Sequence, residues 1–155
     1  SFVVGPALNP HANFESKKFI MQMGNGDLKM GAPDINLGMV DVRDVAKAHI
    51  LAALNDQANG RYIVSENSYK LLEIGKHLRS EFGDKYPTPK STTPKFLVWL
   101  VAPMLGVKRS FIKKNVGHDF HFDNSRGKSE LGLKYTSSKK AVSDFFQQFI
   151  EHDLI

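Results

Sequence analysis

The spacing of apolar positions changes from the front of the chain to the back. "SFVVGP" opens it with Phe2, Val3 and Val4 in an unbroken row closed by Gly5-Pro6, which predicts a strand buried on both faces of a parallel sheet. Phe14, Ile20 and Met23 then share one helical face, and Gly24 and Gly26 supply a stop, so a helix is expected from about 14 to 24. Leu37 to Val40 reads as a short strand. Asp41, with Asp44 three residues on, resembles a capping box opening a helix whose buried stripe is Val45, Ala48, Leu51 and Ala52. Asn59-Gly60 ends that helix, and "RYIVS" from Arg61 to Ser65 is a further strand. Two strand-helix-strand units in succession imply parallel pairing through right-handed crossovers.

Beyond residue 66 the helical period dominates. Leu71, Ile74, Leu78 and Phe82 mark a helix ended by Gly83, and a loop rich in Pro, Lys and Thr follows from Asp84 to Lys95. An apolar helix near 95–106 is interrupted by Pro103, and a basic helix spans about 107–116. "HDFHFD" reads as a short strand, a small helix near 125–131 stops at Gly132, and a last helix near 138–152 presents Val142, Phe145 and Phe149.

Composition narrows the class. The 155 residues are 41% hydrophobic and 24% charged, as in a globular domain with a real core, and the absence of cysteine excludes a disulfide framework and suits a reducing cytoplasm. "FLVWLVAPMLGV", Phe96 to Val107, is about half of what spans a bilayer, so a buried or cap helix is expected and no membrane partner. The net charge of +5 is uneven: residues 1–60 carry five Lys/Arg against six Asp/Glu, residues 61–155 sixteen against ten. No aromatic-plus-basic recognition motif accompanies the basic part, so no nucleic acid is expected either.

Candidate chemistry is thin. Tyr135-Thr136-Ser137-Ser138-Lys139 matches a Tyr-x-x-x-Lys pair, which needs both side chains one turn apart on a helix. Ser137 or Ser138 is better placed as the cap of the last helix, which leaves Tyr135 outside it. "GNGDLKMG", Gly24 to Gly31, lacks the spacing of a phosphate-binding loop and follows a helix. His118 and His121 fall on opposite faces of a strand, so no metal site is expected. His49 reads as a satisfied packing residue.

The order of segments, "SFVVGP", "VDVRDVAKAH", "GRYI" and then "FDNSRGKSELGLKYT" before a final helix, resembles the C-terminal half of extended short-chain dehydrogenase/reductases. It is most similar to the dihydroflavonol reductase and aldehyde reductase branch of the NAD-dependent epimerase/dehydratase superfamily. The resemblance implies an α/β fold: residues 1–66 as the C-terminal part of a Rossmann-type parallel sheet, and 67–155 as a small, mostly helical substrate-binding region. It further implies an NADP- or NAD-dependent oxidoreductase acting on a small-molecule aldehyde or ketone. The glycine-rich loop and the Ser, Tyr and Lys of catalysis would lie in a missing N-terminal half, so no catalytic residue is expected in this chain, which would be inactive alone. Where the family forms homodimers, its dimer helices also lie in that half.

By the same resemblance, Ser1, Phe2, Val3 and Val4 are the cofactor-contact candidates beside the nicotinamide, and Ser16 matches a position that touches the cofactor phosphates. Gly38 and Met39 match positions lining the substrate pocket, with Phe14 and the helix near Trp99 as further wall. Asp41 and Asp44 receive structural roles. Two other readings stay open: half of a sugar-nucleotide epimerase or dehydratase, and a non-catalytic binding module.

Overall fold

The computed structural model describes residues 1–155, with the side chain of Leu105 left aside. Strand β1 (Phe2–Val4) is followed by helix α1 (Glu15–Gly24), the two-residue strand β2 (Ala32–Pro33), strand β3 (Asn36–Asp41) and helix α2 (Val42–Leu54). Strand β4 (Asn67–Lys70) leads into helix α3 (Leu71–Phe82), strand β5 (Thr92–Thr93) and helix α4 (Lys95–Val101). Helices α5 (Arg109–Asn115), α6 (Ser125–Leu131) and α7 (Ser138–Glu151) complete the chain.

The main sheet has the order β1-β3-β4. β1 and β3 run parallel with Phe2 opposite Met39 and Val4 opposite Asp41, whereas β4 is antiparallel to β3, with Asn67 opposite Met39. A second pair, β2 with β5, is parallel. The expected succession of two parallel units is therefore realised once. "RYIVS" joins no ladder among the described residues, and side chains from elsewhere take its carbonyls: Ser1 bonds Val64 O, Arg126 bonds Arg61 O and Asn124 bonds Ser65 O. The polar residues that follow it, Asn67 to Lys70, form the strand instead.

The core is built on α7. Val142, Phe145, Phe146 and Phe149 recur at helical spacing and are all fully buried, while Lys140, Gln147 and Glu151 lie outside that stripe. α7 packs on α1, α3, β1 and β3. Phe19, Ile20 and Met23 of α1, and Leu71, Ile74 and Leu78 of α3, meet it in one cluster with Val4 and Met39. Phe82, Tyr86 and Phe146 close one end, with ring centroids 4.9 to 6.5 Å apart. Gly83 and Gly132 end α3 and α6 at φ 73° and 66°, as their positions in the sequence suggested.

Several expectations change. Among the described residues β1 lies at the edge of the sheet, with Val4 buried and Val3 37% exposed. Along α2 the inward positions are Asp44, Ala48 and Ala52, the two alanines packed with Leu131 and Leu133; Leu51 is partly exposed and lines a surface cavity beside Leu133. His49 is exposed and bonds only back along its helix, to Val45 O at 2.8 Å. "HDFHFD" forms no strand; only isolated bridges join Ile35 to Val116 and His118. The apolar helix near 95–106 divides into α4 and a 3-10 turn from Ala102 to Leu105 containing Pro103, and it is not buried: Phe96 is 68% and Leu100 57% exposed.

Candidate functional site

At the start of β1, beside the first half of β3, lies an open cleft of about 260 Å³ lined by Ser1, Phe2, Leu37, Gly38, Phe120 and Phe122. The parallel register of β1 and β3 puts Ser1 and Gly38 at the same level across the sheet. Phe2 forms one wall and reaches the core behind it, where its ring meets Phe19 edge-on at 5.1 Å.

The opposite wall comes from the segment after α5. Asn36 holds it by donating to Phe120 O at 2.9 Å, Gly117 N–H donates to Asp34 O at 2.7 Å, and Asn124 donates to Ser65 O at 2.6 Å. Lys70 bridges Asp119 and Asp34 at 3.1 and 3.2 Å, and those carboxylates, Asp119 foremost, keep its ammonium above the usual lysine range. Pinned in this way, Phe120 and Phe122 stand edge to face at 5.3 Å, each about two-fifths exposed. The Phe122 ring lies directly on Gly38: a Cβ there would fall 2.2 Å from the ring, so only glycine leaves room for it in this rotamer.

The cleft carries no charged side chain, and the single side-chain hydroxyl in it, on Ser1, donates to Val64 O at 2.5 Å. No group of three His, Asp or Glu suited to a metal occurs among the described residues. The arrangement offers aromatic walls and a glycine floor. It can hold a flat, uncharged group but has no acid or base to react with it.

Of the residues singled out from sequence, Ser1, Phe2 and Gly38 meet in this cleft. Val3 lies on the outer face of β1. The side chains of Val4 and Met39 are fully buried in the main core, and Phe14 stacks on Phe145 there at 6.0 Å. Ser16 sits in the first turn of α1, and Trp99 on the exposed α4; neither lines the cleft. Phe120 and Phe122 were missed, although their spacing of two along an extended segment signalled a shared face.

The carboxylates of α2 are structural, as expected, by different bonds from those foreseen. Asp41 caps α2 through Arg43 N–H at 2.8 Å and receives the Arg43 guanidinium, which also reaches Asp144 at 2.9 Å. Asp44 accepts from Thr136 N–H ahead of α7 and also pairs with Lys47 of its own helix at 3.3 Å. Tyr135 precedes α7 and points to Ile63 O at 3.5 Å, and burial pushes its hydroxyl up, the reverse of what a proton-donating tyrosine requires. Lys139 lies over the Tyr69 ring at 5.1 Å instead.

No family model matches the chain. Tetraketide alpha-pyrone reductase 1 of Arabidopsis thaliana is 28% identical over 151 residues, 97% of this chain and 39% of that protein. Cinnamoyl-CoA reductase 1 of the same plant is 30% identical over 142 residues, 92% of this chain and 35% of that protein. The chain is homologous to reductases of the NAD-dependent epimerase/dehydratase superfamily. It spans less than two-fifths of the length of these two relatives. The crystal structure of yeast methylglyoxal/isovaleraldehyde reductase complexed with NADPH superimposes with a TM-score of 0.67 at 23% identity, over 98% of this chain and 45% of that one. The fold is accordingly that of Rossmann-type reductases, with β1 and β3 as the parallel pair of the main sheet.

Proposed function

We propose that this chain forms the substrate side of an NADP(H)-dependent reductase that transfers a hydride to an aldehyde or ketone carbonyl. The observation that carries this reading is the uncharged, aromatic-walled cleft in which Ser1, Phe2 and Gly38 meet at the start of β1. A relative from Saccharomyces cerevisiae is an NADPH-dependent methylglyoxal reductase, which supports both the cofactor and the carbonyl class.

The residues present fit a nicotinamide. Backbone N–H and C=O groups at the start of β1 lie beside an open, apolar cleft, where a carboxamide can meet them. When bound, the cofactor supplies the hydride. The chain's own part is to hold and to exclude: backbone groups of Ser1 to Val3 fix the ring plane, and Phe120 and Phe122 shield the carbonyl carbon from water. Gly38 lets that aromatic wall close on the sheet. The forming alkoxide takes its proton from a residue outside these 155, since Tyr135 faces Ile63 and the cleft holds no acid.

Residues 1–66 then complete a nucleotide-binding sheet and 67–155 cover the substrate. A cleft without a cation favours a small carbonyl compound over a nucleotide sugar, whose diphosphate needs positive partners. The protein extended to its relatives' length should consume NADPH when offered aldehydes and ketones, and the 155-residue chain alone should not. Turnover by the chain alone, or an extended protein inert toward every carbonyl offered, overturns the proposal.

A further inference from the structure

The segment that runs from α4 through α5 is held to the body by a small core of its own. Ala102, Ile112 and Val116 pack with Val98 and Val107 against Ile35, and Lys95 ties the two helices by donating to Val116 O at 2.6 Å. Most of the other apolar side chains described on it face outward. Phe96, Leu100 and Met104, four residues apart, are 68%, 57% and 87% exposed, and Trp99 and Phe111 flank them at 44% and 47%. A contiguous apolar patch of this kind marks an interaction surface.

Its surroundings carry one sign of charge. Residues 85–118 contain seven Lys/Arg and no Asp or Glu. Lys108, Lys113 and Lys114 pair with no carboxylate among the described residues, and Arg109 lies over the Trp99 ring at 4.1 Å.

We infer that this hairpin is a docking surface for an anionic lipid bilayer, lying on it rather than crossing it. Exposed aromatic and aliphatic side chains rimmed by unpaired cations match the headgroup boundary in both layers: the apolar residues enter the acyl edge, Trp99 sits at the interface, and the lysines meet lipid phosphates. Among the described residues no helix is long and apolar enough to cross a membrane. A second copy is disfavoured because its matching face bears the same charge. Nucleic acid would use the cations but leave Phe96, Leu100 and Met104 with nothing to bury them. This revises the expectation of no membrane partner, and it stands independently of the reductase proposal.

Trp99 is the single tryptophan and reports directly. The chain is mixed with vesicles of phosphatidylcholine alone or with phosphatidylglycerol, and sedimentation and Trp99 emission are followed. Expected are a blue shift and about tenfold tighter partitioning with phosphatidylglycerol, weakened by salt. A combined Lys108→Glu, Lys113→Glu, Lys114→Glu variant should lose about tenfold, and Phe96→Asp with Leu100→Asp should lose binding, both with unchanged circular dichroism and melting. Equal or absent binding to the two vesicle types overturns the inference. So does a blue shift that rises with protein concentration without vesicles, which indicates a second copy. In the longer protein, Trp99 already shielded from a soluble quencher without vesicles likewise overturns it, because the rest of the chain then covers this face.

Discussion

Helices α7 and α4 are both rich in large apolar residues, and they end on opposite sides of the hydrophobic boundary. In α7 those residues recur every three to four positions, and the intervening Lys, Gln and Glu leave one face for the core; Phe145, Phe146 and Phe149 are fully buried. In α4 the sequence Lys-Phe-Leu-Val-Trp-Leu-Val is apolar on every face, so one small contact through Val98 cannot cover it. Density of apolar residues therefore says that a helix wants a partner, and only their period says where the partner lies.

The sharpest way to break this contrast is truncation in the two helices. Phe145→Ala should cost about 3–5 kcal/mol of unfolding free energy in urea titrations. Leu100→Ala should stay within about 0.5 kcal/mol, because its surroundings are already solvent. Similar losses at both sites would contradict the assignment of the core to α7. Next in size is Asp44→Ala, which leaves Thr136 N–H at the entry to α7 without its acceptor. A loss of about 1–3 kcal/mol is expected from the same titrations.

A smaller effect concerns the outer face of α7. Burial by itself raises the Asp144 carboxyl, but the bonds from Lys140 and Arg43 outweigh it and hold the group below its ordinary value. A depressed carboxylate stabilises the fold above its unfolded value, near pH 4, and that contribution is lost as pH falls through the folded one. Melting temperatures should therefore decline below about pH 4, and Asp144→Asn should decline less over that window. An identical decline would remove the ion pair from the account.

The helices with a clear period were legible in the sequence: α3 with its stop at Gly83, α6 with its stop at Gly132, and α7 whole. What was not legible depended on distant partners. "RYIVS" has strand residues but spends its carbonyls on Ser1, Arg126 and Asn124, while the polar Asn67 to Lys70 becomes a strand only because β3 lies open beside it. At the candidate site, Ser1 and Gly38 could be named from a resemblance, but their meeting required the β1–β3 register. Phe120 and Phe122 showed a shared face; that the face would land on Gly38 followed from Asn36 and Asn124 pinning the segment from either end.

The central claim is that the cleft between β1 and Phe122 receives the carbonyl substrate. Its most direct test is Phe122→Ala in the protein extended to its relatives' length, measuring KM for an apolar aldehyde alongside the Kd of NADPH. The account predicts that KM rises about tenfold while the Kd stays within about twofold, since the ring covers the substrate side of the cleft. An unchanged KM, or equal changes in both constants, would contradict it.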